Sequence, residues 1–223
     1  MITISYIRNT YLLTDEMVAS YVAAQQVQVA RDFGPLWGID DVQCVFVPPG
    51  TNAPLGSWEV WFKDHTDQDG ALGYHTDEGR PKSYVFTADD LRDGISWTVT
   101  ASHETLEMLG DPDIKQVRNV GSMQYAYEAC DACEDDQFAY LIQGHLMSDF
   151  VLPSWFDPNG QAPFTFRNSI DGPLLLAPGG YIGRRVLPEG QWEQLFAQQH
   201  ASPRQFKRET SRTLRRFRAE SDA

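Results

Sequence analysis

The sequence predicts an α+β fold, and three observations carry that expectation. Short apolar stretches of strand length alternate with two segments of helical pattern across residues 1–110. Prolines and glycines dominate residues 153–190, which suits loops and short strands better than a long helix. From residue 201 the charge balance inverts: seven Lys and Arg stand against three acidic residues, although the whole chain carries −13. The expected organisation is one domain over residues 1–200 with a loop-rich C-terminal part, then a basic helical tail over residues 201–223.

Element by element, residues 2–8 alternate apolar and polar side chains as a half-buried strand does. Thr14 is placed to cap a helix that Asp15 and Glu16 open and that runs to Phe33, where Gly34 and Pro35 end it. Residues 42–47 and 58–62 read as strands separated by a Pro- and Gly-containing loop. A polar turn over 63–70 leads to two more strands, 71–75 and 83–87, on either side of an acidic loop. A helix over 94–109 follows, then a short strand at 138–142. Residues 190–196 turn helical, and Pro203 separates that helix from the tail.

Twelve Phe, nine Tyr and six Trp within a 42% apolar chain supply a core. No run of 18 apolar residues is present, so no membrane span is expected, and the N-terminus lacks the pattern of a secretory signal. A cytoplasmic or virion location is the expectation. The acidic body disfavours nucleic acid as a partner, whereas the basic tail suits docking on an acidic neighbour such as a second copy of this chain. Cys44, Cys130 and Cys133 form an odd set typical of a reducing compartment. Cys130 and Cys133 make a lone CxxC that reads as small buried side chains, because Cys44 cannot supply the second pair of a zinc ribbon.

Residues 103–113 bear the chemistry. His103, Glu104, Glu107, Gly110 and Asp113 fall at the spacing of the long zinc-protease pattern HExxHxxGxxH, with Glu107 and Asp113 where the second and third histidines belong. Helical residues i and i+4 share a face, so His103 and Glu107 can point at one ion. Glu104, one step round, is placed to take a proton from a metal-bound water as general base. Gly110 suits the left-handed position past a helix end, and Asp111 and Pro112 then stop the helix so that the turn can bring Asp113 back toward the metal. Residues 95–102 are mostly apolar or small, which predicts a buried helix whose acidic side chains need partners. One imidazole with two carboxylates is a hard, anionic set. It binds zinc, the expected cofactor, and accepts calcium or another divalent cation more readily than three imidazoles do. A second acidic cluster follows, with Glu128, Asp131 and Glu134 among its members. His75 ends a predicted strand near the presumed site and reads as an ordinary polar histidine, and Met147 reads as core.

This motif resembles the active-site helix of zincin metallopeptidases. Residues 101–113, 127–131 and 148–156 also look like segments of a group of uncharacterised phage and bacterial proteins with an HExxEMLGDPD segment. The zincin resemblance implies a twisted mixed sheet packed on the active-site helix, with its edge strand lining a substrate cleft. It implies His103, Glu107 and Asp113 as metal ligands, with Glu128 as the alternative third ligand in the gluzincin manner. Glu104 would be catalytic, and a metal-activated water would attack a peptide bond. Met147 takes the place of the metzincin turn methionine in that scheme. The second resemblance implies the alternative: a virion or assembly protein that keeps the fold and a structural metal, and self-associates through its tail. An open cleft beside the ion distinguishes the first; a shell closed by Glu128 or Asp131 distinguishes the second.

Overall fold

Alternation at residues 2–8 produces the first strand, β1 (Ile2–Arg8), and the later apolar stretches give β2 (Val42–Val47), β3 (Trp58–Lys63), β4 (Gly73–Thr76) and β5 (Lys82–Phe86). These belong to a computed structural model that describes residues 1–67, 71–76 and 79–197; the expected basic tail and parts of the 63–70 turn and the acidic loop lie outside them. The five strands form one sheet in the order β2-β1-β3-β5-β4. Neighbours run parallel except β4, which lies antiparallel to β5 at the edge. The chain is α+β, as its pattern predicts.

Two helices bury the sheet's apolar side chains. Helix α1 (Asp15–Val27) starts where expected: the Met17 N–H donates to the Thr14 hydroxyl at 3.2 Å. It does not end at Gly34. The chain passes through a π-helical turn over Gln28–Phe33 into a further turn, α2 (Gly34–Trp37), which stops at Gly38. Pro35 is tolerated because a first-turn residue needs no intrahelical N–H bond. A six-residue helix, α3 (Thr87–Arg92), was not anticipated; it leads into α4 (Trp97–Gly110), the motif helix. All 14 residues of α4 are buried, so its carboxylates lie inside the protein rather than on a solvated face. Ile4, Tyr6, Val60, Phe62 and Val85 of the sheet share one core with Val18 and Tyr21 of α1 and with Trp97, Ala101 and Leu106 of α4. Edge-on ring contacts join Tyr21 and Trp97 to Phe62, and the Tyr6 hydroxyl meets the Thr105 hydroxyl at 3.2 Å. The sheet thus fixes both the depth and the rotation of α4.

Residues 153–190 contain one six-residue strand and no α-helix, as their proline and glycine content suggests, and further strands flank them. β6 (Val117–Val120), β7 (Met123–Ala126), β8 (Tyr140–Ile142), β9 (His145–Met147), β10 (Tyr181–Val186) and β11 (Glu193–Phe196) form a four-stranded sheet β11-β10-β7-β6 and a separate hairpin β8-β9. The helix expected over 190–196 is not formed: residues 190–192 have no regular structure and Glu193–Phe196 is the strand β11. Its pairing with β10 sets Tyr181 opposite Phe196 and Ile182 opposite Leu195, a tertiary contact that outweighs local preference. Beneath this sheet Val151, Trp155, Phe156, Phe164 and Ile182 make a second core. Cys133 belongs to that core and Cys130 to the first, so the CxxC segment stitches the two together. No helix among the described residues is long and apolar enough to cross a membrane.

Candidate metal centre

Three chain segments converge on the buried face of α4. From the helix come His103, Glu104 and Glu107, each fully buried. Strand β4 adds His75, 5% exposed, and the segment after β7 adds Glu128, Cys130, Asp131 and Glu134, none more than 8% exposed. Their donor atoms fall into three compact groups: His103 with Glu107 and Cys130, His75 with Glu107 and Glu128, and His103 with Asp131 and Glu134. Within each group the atoms lie within 4.8 Å of one another.

The helical spacing works as the sequence suggested, because His103 Nε2 stands 2.9 Å from Glu107 Oε1. Asp131 Oδ1 approaches the same nitrogen at 3.3 Å. His75 Nδ1 lies 3.7 Å from Glu104 Oε2 and 3.8 Å from Glu107 Oε2. Zinc bonds to nitrogen and oxygen of about 2.0–2.2 Å place tetrahedral ligands roughly 3.3–3.6 Å apart; the 3.3 Å between His103 and Asp131 falls in that range, and the two His75 distances lie just above it. The 2.9 Å contact suits a direct imidazole–carboxylate bond, and that pair alone decides nothing. The full set decides more. Five carboxylates gathered with two imidazoles repel one another in a low-dielectric interior, and a divalent cation among them reverses that term.

The local electrostatics follow from this crowding. Burial pulls the His75 imidazole down, but the contact with Glu104 and the charges of Glu128 and Glu107 outweigh it, and the net shift is upward. Burial, reinforced by the Glu107 charge, pushes the Cys130 thiol far above its ordinary range. Two imidazoles and a thiol within the donor groups suit zinc or another transition ion better than calcium, which prefers oxygen alone.

Two expectations about the turn after α4 need correction. Asp113 is exposed and joins none of the three groups. Asp111 turns inward instead, where its carboxylate accepts the Lys115 and Gln116 N–H groups at 3.0 Å and closes the turn. Gly110 is the last helical residue and does not take the left-handed position; the positive φ falls at Ile114 (55°). What Gly110 provides is clearance, since a Cβ there would stand 3.1 Å from the Trp37 ring.

Glu128, the alternative third ligand, does sit with Glu107, and Asp131 sits with His103. His75, Cys130 and Glu134 were not read from the sequence as members of a site with His103. Only the antiparallel placement of β4 beside α4 brings His75 in; the one local sign was its small and apolar approach, Ala71, Leu72 and Gly73. Met147 is fully buried in the main core. It lies on β9 between two ties to α4, the Thr98 hydroxyl donating to the Leu146 carbonyl and the Ser148 N–H to the Ser102 hydroxyl.

Strand β4 closes the space beside Glu104. A Cβ built on Gly73 would lie 2.9 Å from Glu104 Cγ, Glu104 Oε1 and Thr100 Cγ2. Gly73→Ala is therefore expected to push β4 off the helix and to cost about 1–3 kcal/mol, as overpacking of a filled core does. A urea-unfolding midpoint unchanged by this substitution would show that the strand is not seated on Glu104. In comparisons with known proteins, no family model matches the chain, and no curated protein or solved structure does so either.

Proposed function

We propose that this is a structural protein on a zincin-like fold, in which a buried divalent cation, zinc first among the candidates, welds the motif helix to the 128–134 segment. The observation that carries this reading is closure. His103, Glu104 and Glu107 have no exposed surface, and β4 packs so closely on Glu104 that a Cβ at Gly73 would stand 2.9 Å from its side chain. Support for the zincin-like part comes from the five-stranded sheet, whose antiparallel edge strand borders the helix bearing His103 and Glu104.

His103, Glu107 and Asp131 would hold the ion, with Glu134 and Cys130 completing a shell made from protein. When bound, the cation supplies charge neutralisation and cross-linking. Glu104 then acts as a buried partner of His75 at 3.7 Å rather than as a base toward substrate. The assembly role belongs to the basic tail, whose seven cations complement the acidic body of another copy.

The test is hydrolysis. The metal-loaded chain is expected to release nothing from a denatured protein substrate or a mixed peptide library, and Glu104→Gln is expected to keep its metal. Peptide cleavage by the wild type that disappears in Glu104→Gln overturns the structural reading and restores a metallopeptidase.

A further inference from the structure

We propose that the centre takes two divalent cations, with the Glu107 carboxylate bridging them. This rests on the metal-centre reading above and extends it from one ion to a pair. The two oxygens of Glu107 face different imidazoles: Oε1 stands 2.9 Å from His103 Nε2, and Oε2 stands 3.8 Å from His75 Nδ1. Each side has its own further donor. Asp131 lies 3.3 Å from His103, whereas Glu128 groups with His75 and Glu107. Among the described residues the two imidazoles share no donor group; Glu107 is the member common to the His75 group and the His103–Cys130 group. One ion placed between His103, Glu107 Oε1 and Asp131 leaves His75, Glu128 and the second Glu107 oxygen outside its shell.

A bridging carboxylate is the usual link between ions about 3.5–4 Å apart, and Glu107 is placed to form one. Charge points the same way. With the imidazoles neutral and all five carboxylates ionised, one dication offsets two negative charges and two offset four. Mixed imidazole and carboxylate donors on both sides suit borderline ions such as Zn²⁺, Mn²⁺ or Fe²⁺. The two positions have separate mechanical roles. The His103 position ties α4 to the 128–134 segment. The His75 position ties the edge strand β4 to the helix, which the chain otherwise holds there by β4–β5 pairing and by the close seat of Gly73.

The experiment uses the full chain loaded with Mn²⁺, freed of excess ion, with metal counted per chain and the electron paramagnetic resonance spectrum recorded. The expected result is two Mn²⁺ per chain with an exchange-coupled signal, and in His75→Ala one Mn²⁺ with the six-line signal of an isolated ion. One Mn²⁺ per wild-type chain with an isolated signal overturns the pair and leaves the single-ion reading standing. Neither Mn²⁺ nor Zn²⁺ bound at all overturns both. If His75→Ala does not fold, the wild-type spectrum decides alone, because coupling requires two ions at bridging distance.

Discussion

Chelation is expected to lower the melting temperature of this protein by about 8–16 °C, and re-addition of zinc to restore it. A cation at roughly 1,000 times its Kd stabilises the folded state by about 4 kcal/mol. At this chain length about 1 kcal/mol moves the midpoint roughly 2–4 °C. The size of the effect follows from what the proposed ion would join. Helix α4 is buried along its whole length, and its carboxylates face an acidic segment from elsewhere in the chain. Without a cation those groups repel inside the core. Calorimetry before and after a chelator measures this directly, and a shift under about 2 °C would mean the carboxylates find their compensation elsewhere.

Removing Glu107 should have the second large effect. It is the one carboxylate shared between the His75 group and a His103 group, so Glu107→Ala is expected to weaken metal binding sharply, leaving only the His103, Asp131 and Glu134 donors together. Stripping one partner from a buried charge cluster costs about 3–5 kcal/mol. The variant should therefore melt near the chelated wild type, and a chelator should then lower it little further. Asp113→Asn is the matched control. Asp113 is exposed and belongs to no donor group, so the variant should keep its full complement of metal and its melting temperature. Loss of metal in Asp113→Asn would return Asp113 to the ligand set, as motif spacing alone suggests.

The contrast between those two residues shows where sequence reasoning carries and where it stops. Helical period is local, so the placement of His103 and Glu107 on one face could be read directly, and so could the cap at Thr14 and the alternation in β1. Asp113 lies beyond the helix end, where the path of the turn depends on Asp111 accepting N–H groups from Lys115 and Gln116. No periodicity encodes that choice between two nearby aspartates. His75 is 28 residues before His103, and sheet order alone brings it to the helix. The sequence of β11 suits a helix for a related reason: a short apolar run suits either element, and its partner β10 settles the matter from outside the segment. The acidic run around Glu128 and Asp131 was visible as a candidate, but its burial against α4 was not.

The most direct measurement is element-specific mass spectrometry of the wild-type chain and His103→Ala, each purified without added metal. A buried centre built on His103 predicts at least one divalent transition ion per wild-type chain, with that content sharply reduced in the variant while both remain folded. A wild-type chain that is metal-free as purified, takes up no zinc on titration and melts identically with and without chelator would contradict the account.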